Sequence, residues 1–235
     1  MKPKFKKPIF RLVVLFQLIV VLSSLNAQEQ TNQTKLNTME IAFIMFYDYE
    51  TLDVFGPAEI FGRLVDKYKL TFYSFDGGVI TNRHGVPIMT QKIAAIKNPP
   101  NIVLVPGGMG TRKEVNNTEL LTAIKELSLA SDYVLSVCTG SALLAKSGVL
   151  EGKQATSNKR AFSWASSQSD KVDWDKKARW KVDGKYYTSS GVSAGMDMTL
   201  GFIADRHGID FARKVAKEIE YNWIEDKDND GFIAE

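Results

Sequence analysis

Short continuous apolar runs alternate along the chain with stretches of helical periodicity. Ile41 to Tyr47 is apolar and aromatic throughout, the pattern of a strand buried on both faces. Asp53 to Val65 then places Val54, Ala58, Ile60, Phe61 and Leu64 at helical spacing. That predicts a helix in which Pro57 is tolerable only near the start. Leu70 to Phe75 reads as a second strand, and Gly77-Gly78 with His84-Gly85-Val86-Pro87 punctuates a hairpin-like excursion. Ile102 to Val105 is a short buried strand running into Pro106-Gly107-Gly108. Asn117 is a good N-cap for a helix lined by Leu120, Leu121, Ile124 and Leu127.

Tyr133 to Val137 is another buried strand, and a helix starts almost at once, from Gly140 to Ser147, with Gly148 as its stop. Trp180 to Val182 and Tyr186 to Thr188 flank Asp183-Gly184, which predicts a hairpin with a type I′ turn. Ser193 to Arg206 and Ile209 to Trp223 read as the last two helices. Buried strands alternating with helices predict an α/β domain over residues 39–223, with a mainly parallel sheet covered on both faces. No repeat or internal linker divides it.

The two ends read differently. Lys2, Lys4, Lys6, Lys7 and Arg11 precede and enter an apolar run from Ile9 to Leu22, followed by small residues up to Ala27. The run is shorter than the ~20 residues of a spanning helix, so residues 1–27 are expected to be a signal peptide, with 28–38 a flexible leader. No cysteine follows the cleavage site, so a lipoprotein signal is not expected. Cleavage removes five basic residues from 30 and none of the 27 acidic ones, which turns a formal charge of +3 into −2. A periplasmic or secreted chain of that charge carries no footprint for nucleic acid. At the other end, Asp226-Lys227-Asp228-Asn229-Asp230-Gly231 matches half of an EF-hand loop. The bidentate acid at its twelfth position is missing, so residues 224–235 are expected to be a solvated acidic tail.

Candidate chemistry starts from the lone cysteine. Exported proteins that use disulfides carry even numbers of them, and this chain has one, Cys138. In Ser136-Val137-Cys138-Thr139-Gly140-Ser141 a buried strand meets a helix with no room for a loop. Small residues two before and two after let strand and helix approach, as in the G-x-S-x-G elbow. The helix amino end beside the sulfur is expected to favour a thiolate. Pro106-Gly107-Gly108-Met109-Gly110 follows a buried strand and opens at the same sheet edge. The amides of Gly108 and Thr139 are candidates for an oxyanion hole.

A base is harder to find. The two histidines are His84, in a turn, and His207, which precedes Gly208 and reads as a helix-end cation. A carboxyl group must then serve. Asp53 opens at the right edge, although an N-cap would explain it equally well, and Glu59 lies a turn further on, exposed. Trp164, Trp174, Trp180 and Trp223 carry no assigned role; those near the Asn158 segment are candidates to line the pocket, although aromatic core packing is commoner.

Four motifs fall in order: Leu52-Asp53-x-x-Gly56-Pro57, Pro106-Gly107-Gly108, Val137-Cys138-Thr139-Gly140-Ser141 and Gly191-Val192-Ser193-Ala194-Gly195-Met196-Asp197. Over about Ile41 to Tyr221 the chain resembles the ThiJ/PfpI superfamily, with its class I glutamine-amidotransferase-like fold, and most of all its isonitrile hydratase branch. The resemblance implies a flavodoxin-like three-layer sandwich and a homodimer. It implies a small-molecule substrate and no cofactor or metal. By position it implies Cys138 as nucleophile and Asp53 as the acid against it. Thr139 follows the nucleophile, and Gly107 and Gly108 stand on the oxyanion side. Asn158 stands where many relatives carry histidine, which weakens a triad and leaves an acid–thiol dyad. Export argues against the gene regulation that a helix-turn-helix module gives some relatives. The competing expectation is a redox-sensing or stress-protective protein, deglycase-like, that uses an exposed, oxidisable Cys138.

Overall fold

The computed structural model describes residues 38–233 and, ahead of them, Gln17 alone. The expected signal peptide and leader therefore fall almost wholly outside the described residues. The chain divides into Met1–Thr38 and Met39–Glu235, and the fold belongs to the second unit. Among the described residues no helix is long and apolar enough to cross a membrane.

The first half runs β1 (Met39–Met45), α1 (Thr51–Gly62), β2 (Tyr68–Ser74), β3 (Gly78–Thr81), β4 (Pro87–Lys92), β5 (Ile102–Val105), α2 (Thr111–Glu114) and α3 (Thr118–Ala130). The second half runs β6 (Tyr133–Ser136), α4 (Gly140–Lys146), β7 (Gln154–Ala155), α5 (Phe162–Ser166), β8 (Asp173–Trp174), β9 (Trp180–Asp183), β10 (Tyr186–Ser189), α6 (Ala194–His207) and α7 (Ile209–Glu218). Eight strands form one sheet in the order β3-β4-β2-β1-β5-β6-β10-β9. Only the outer pairs, β3 with β4 and β9 with β10, are antiparallel. The six strands from β4 to β10 are parallel, and β7 and β8 make a small separate parallel pair.

The central strands are buried because they have helices on both sides. Every residue of β5 is inaccessible to solvent, as are Ile41 to Ile44 of β1. Each such aliphatic side chain contributes about 1.5–3 kcal/mol when fully buried. Helices α1, α6 and α7 pack as one group, and α2, α3 and α4 as another, giving the three-layer α/β arrangement. Asn117 caps α3 by accepting a hydrogen bond from the Leu120 amide at 3.1 Å.

Four local readings change. Pro57 lies in the middle of α1, not at its start, because the helix begins at Thr51. The β9–β10 register pairs Asp183 with Tyr186, so the turn residues are Gly184 and Lys185. Of these only Gly184 has positive φ, which fits a type II′ turn and not type I′. Helix α7 stops at Glu218, short of Trp223, because Glu220 turns left-handed (φ 52°) and the Tyr221 amide closes back on the Ala216 carbonyl.

The fourth change is the tail, which packs onto the domain. The Lys227 carbonyl accepts the Arg179 and Trp180 amides at 2.8 and 3.1 Å. Arg179, 2% exposed, donates Nε to Asp197 at 2.7 Å and Nη1 to Asp230 at 3.2 Å. Asp230 is thus half of a buried clamp. Asp226, its intended companion in a calcium loop, accepts the Asp228 amide and the Asn229 side chain. Removing the cation from such a clamp leaves Asp197 buried without its counter-charge and Asp230 with Lys159 as the cation near it. Arg179→Gln is expected to lose about 3–5 kcal/mol of stability, read from the midpoint of urea unfolding. A loss below about 1 kcal/mol would show that the clamp does not hold the tail.

Candidate active site

The carboxyl ends of four neighbouring parallel strands, β1, β5, β6 and β10, meet at one edge of the sheet. Ligands of open α/β sheets bind at that edge. Strand β6 ends at Ser136, and Cys138 takes φ 57° before α4 begins at Gly140. A non-glycine residue in the left-handed region costs about 1–3 kcal/mol, so the surroundings must fix it. The Cys138 amide donates to the Ser190 carbonyl at 3.0 Å. Its own carbonyl accepts the hydroxyls of Ser141 and Ser157, each at 3.1 Å. Gly140 is required because a Cβ there would lie 2.1 Å from the Val105 carbonyl oxygen.

The carboxyl partner comes from β1's edge. Asp53 sits in the first turn of α1 but is not its N-cap, a position taken by Glu50. Its side chain is fully buried and its Oδ2 accepts the Gly107 amide at 2.9 Å. The loop before α1 is held in place by backbone pairing with the glycine run. The Glu50 amide donates to the Gly107 carbonyl at 2.9 Å, and the Gly110 amide to the Asp48 carbonyl at 3.2 Å. Oδ1 of Asp53 is buried without a hydrogen-bond partner, and the carboxyl group lies close enough to the Cys138 thiol for each to influence the other's ionisation.

Burial pushes the Asp53 carboxyl well above the usual range, against the pull of the Gly107 amide. Burial likewise raises the Cys138 thiol, and the Asp53 charge adds to the rise. The pull toward thiolate expected from the helix end is outweighed by desolvation, because α4 is short. The Asp53 charge further opposes loss of the thiol proton, so the two groups titrate as a coupled pair.

The oxyanion side differs from the sequence reading in one respect. The Gly108 amide donates to Thr139 Oγ1 at 3.1 Å and does not point at the sulfur. The amides that do are those of Thr139 and Val192. In the sequence Val192 stands inside the Gly191–Asp197 motif without a role of its own. It has φ 45°, a strained state for a β-branched residue, in the turn between β10 and α6. Gly191 beside it leaves room for Asn158, whose amide nitrogen a Cβ at Gly191 would meet. Asn158 itself accepts the Ala161 amide at 3.1 Å through Oδ1.

A cavity of about 330 Å³ opens over the sulfur, lined among others by Gly108, Cys138, Thr139, Asn158 and Val192. Cys138 is 6% exposed. His84 lies outside this lining, with Nδ1 2.6 Å from the Thr51 hydroxyl. His207 is not a charged cap. Its Nε2 lies 2.8 Å from the Tyr68 hydroxyl, and burial lowers its pKa. Glu59 is exposed and pairs with Arg63. Neither histidine reaches the thiol, and the carboxyl group beside it is that of Asp53.

A raised carboxyl pKa also sets a stability cost. The folded pKa of Asp53 lies above the unfolded one, so stability is highest below the unfolded value and is lost as pH rises through the folded value. Asp53→Asn removes that charge and keeps an acceptor for the Gly107 amide. The variant is expected to gain about 1 kcal/mol at pH 8, a few degrees in Tm, and nothing near pH 3.5. Thermal scans at the two pH values check this, and an equal shift at both would exclude the ionisation as its source.

Residues 39–205 match the model of the DJ-1/PfpI family. The isonitrile hydratase of Pseudomonas putida is 28% identical over 185 residues, covering 78% of each chain. An HTH-type transcriptional regulator of Pseudomonas aeruginosa is 25% identical over 197 residues, which span 80% of this chain and 52% of that protein. Among solved structures, a ThiJ/PfpI family protein from Pseudomonas syringae superposes with a TM-score of 0.69 at 25% identity, over 79% of this chain and 76% of that one. Drosophila melanogaster DJ-1beta shares the fold with a TM-score of 0.69 at 20% identity, over 79% and 100% of the two chains. The match spans the sheet and every element that positions Cys138 and Asp53, and the chain is a member of the DJ-1/PfpI family.

Proposed function

We propose that this protein is a cysteine-dependent hydratase that converts an isonitrile to an N-substituted formamide. The observation that carries the reading is the buried Asp53 carboxyl set against the Cys138 thiol, with its other oxygen fixed by the Gly107 amide. The likeness to a curated isonitrile hydratase supports it. Export through residues 1–27 to the periplasm or beyond, and action as a homodimer, belong to the same proposal.

Cys138 Sγ forms a bond to the terminal carbon of R–N≡C while Asp53 takes the thiol proton and passes it to that carbon. The product is a thioimidate, R–N=CH–S–Cys138. Water adds to its carbon, the nitrogen takes up a proton, and the C–S bond breaks. The thiol is regenerated and R–NH–CHO leaves. Negative charge that gathers on the sulfur along this path faces the Thr139 and Val192 amides. The competing redox role calls for an exposed thiol of low pKa. A thiol 6% exposed and raised by burial weighs toward the enzyme.

The test is formamide production from a simple alkyl isonitrile. Cys138→Ala is expected to abolish turnover, and Asp53→Asn to lower kcat about 10²- to 10⁴-fold with the fold retained. Turnover surviving in Cys138→Ala would remove the covalent path. No turnover in the parent chain, with Cys138 oxidised by low peroxide, would favour the redox role.

The shared proton fixes the pH profile. Activity is expected to fall at low pH, where both groups are protonated, and at high pH, where the shared proton is lost. A rate that keeps rising with pH, as for an isolated thiol, would separate Asp53 from the chemistry.

A further inference from the structure

The cavity over Cys138 is lined by three arginines from three separate segments. Arg83 comes from the β3–β4 turn, Arg112 from α2 and Arg160 from the loop after β7. One carboxylate lines it with them, Glu50, which lies 3.9 Å from His84 Nδ1. Asp53 is below the floor, engaged with Gly107 and the thiol. Lys159, the next cation along, turns its Nζ away to the Thr156 hydroxyl and the Ala178 carbonyl. Among the described residues none of the three arginines is in an ion pair with a carboxylate.

Arg112 is the informative one. Its guanidinium carbon lies 3.4 Å above the centre of the Trp164 ring, and Nη1 donates to the Thr111 hydroxyl at 3.1 Å. A surface arginine that merely keeps the protein soluble stays free in water. This one is half-buried and pinned by a ring and a hydroxyl, with part of its fork uncommitted. Burial lowers its pKa, and the nearby Cys138 sulfur acts in the opposite direction. A guanidinium prearranged in this way presents a flat, two-pronged donor face that suits a carboxylate. A cavity of about 330 Å³ is at the small end of ligand sites.

We propose that the physiological substrate is a small electrophile carrying a carboxylate. Arg112, stacked on Trp164, binds the carboxylate with help from Arg160 and Arg83, and this places the electrophilic carbon over Cys138. The inference rests on Cys138 as the nucleophile but not on isonitrile as the substrate.

Two alkylating reagents of nearly equal size test it. Iodoacetate carries a carboxylate where iodoacetamide carries a neutral amide. In both reactions Sγ forms the new C–S bond, iodide leaves, and the thiol proton passes through Asp53 to solvent. The ratio of the two rates at Cys138, read by mass spectrometry, is normalised to the ratio for the same chain unfolded in urea. The folded protein is expected to favour iodoacetate about fivefold or more on this scale. Arg112→Gln is expected to remove most of that preference and Arg160→Gln part of it, while Lys125→Gln, a charge lost on the far side of α3, leaves it intact. A normalised ratio of one or less overturns the proposal.

A second measurement covers a thiol too slow for either reagent. Cys138→Ser is titrated with acetate and with acetamide while tryptophan fluorescence is followed. Tighter binding of acetate, lost in Arg112→Gln, supports the site, and equal affinity overturns it. Neither measurement uses an isonitrile. A preference for the anion without isonitrile turnover would retain the site and discard the hydratase reading.

Discussion

A Cβ on Gly140 would begin 2.1 Å from the carbonyl oxygen of Val105. That approach brings the start of α4 against the end of β5, and the rest of the site follows from it. With the helix so close, the chain cannot leave β6 by a loop and must turn within Val137, Cys138 and Thr139. The left-handed conformation of Cys138 is the geometric result. The same closeness brings the Gly107 turn against Thr139, where a Cβ on Gly107 would lie 2.5 Å from the Thr139 nitrogen. Asp53 then reaches the Gly107 amide and the thiol with one side chain. Backbone approach, set by two glycines without room for a side chain, fixes the spacing of the acid and the sulfur.

That spacing decides the electrostatics. Two acidic groups are buried side by side with a few oriented amides and no neighbouring cation in contact. Such a pair is harder to ionise than either member is in water. It is a stored acid and a latent nucleophile at once, which suits addition of S–H across a multiple bond better than displacement by a free thiolate. The arginines stand above it, at the level of the substrate, where they act on what enters the cavity.

Much of this was legible in the sequence. The strands β1, β2, β5 and β6 are continuous apolar runs, and their burial on both faces leaves little else for them to be. The elbow was legible because small residues on both sides of Cys138 are what a strand running straight into a helix requires. What was not legible came from contacts between distant segments. Val192 reaches the sulfur because β10 lies beside β6 in the sheet, a neighbourhood that nothing local in the sequence encodes. The Asp53 carboxyl looked equally good as an N-cap until Glu50 took that position. The tail looked solvated because its partner, Arg179, lies 51 residues away from Asp230. The Gly108 amide looked free because nothing local shows that the Thr139 hydroxyl would claim it.

The Arg179 clamp also reaches the turn beside the sulfur. Arg179 donates to the Ser193 hydroxyl as well as to the two aspartates, and Tyr221 donates to the Ser193 carbonyl. Ser193 is the residue after Val192, so the turn that aims an amide at the sulfur is braced by segments far from it in sequence. The stiffness of the nucleophile's surroundings is thus set partly outside the cavity, and a change at Asp230 would be felt at the thiol through Arg179 and Ser193.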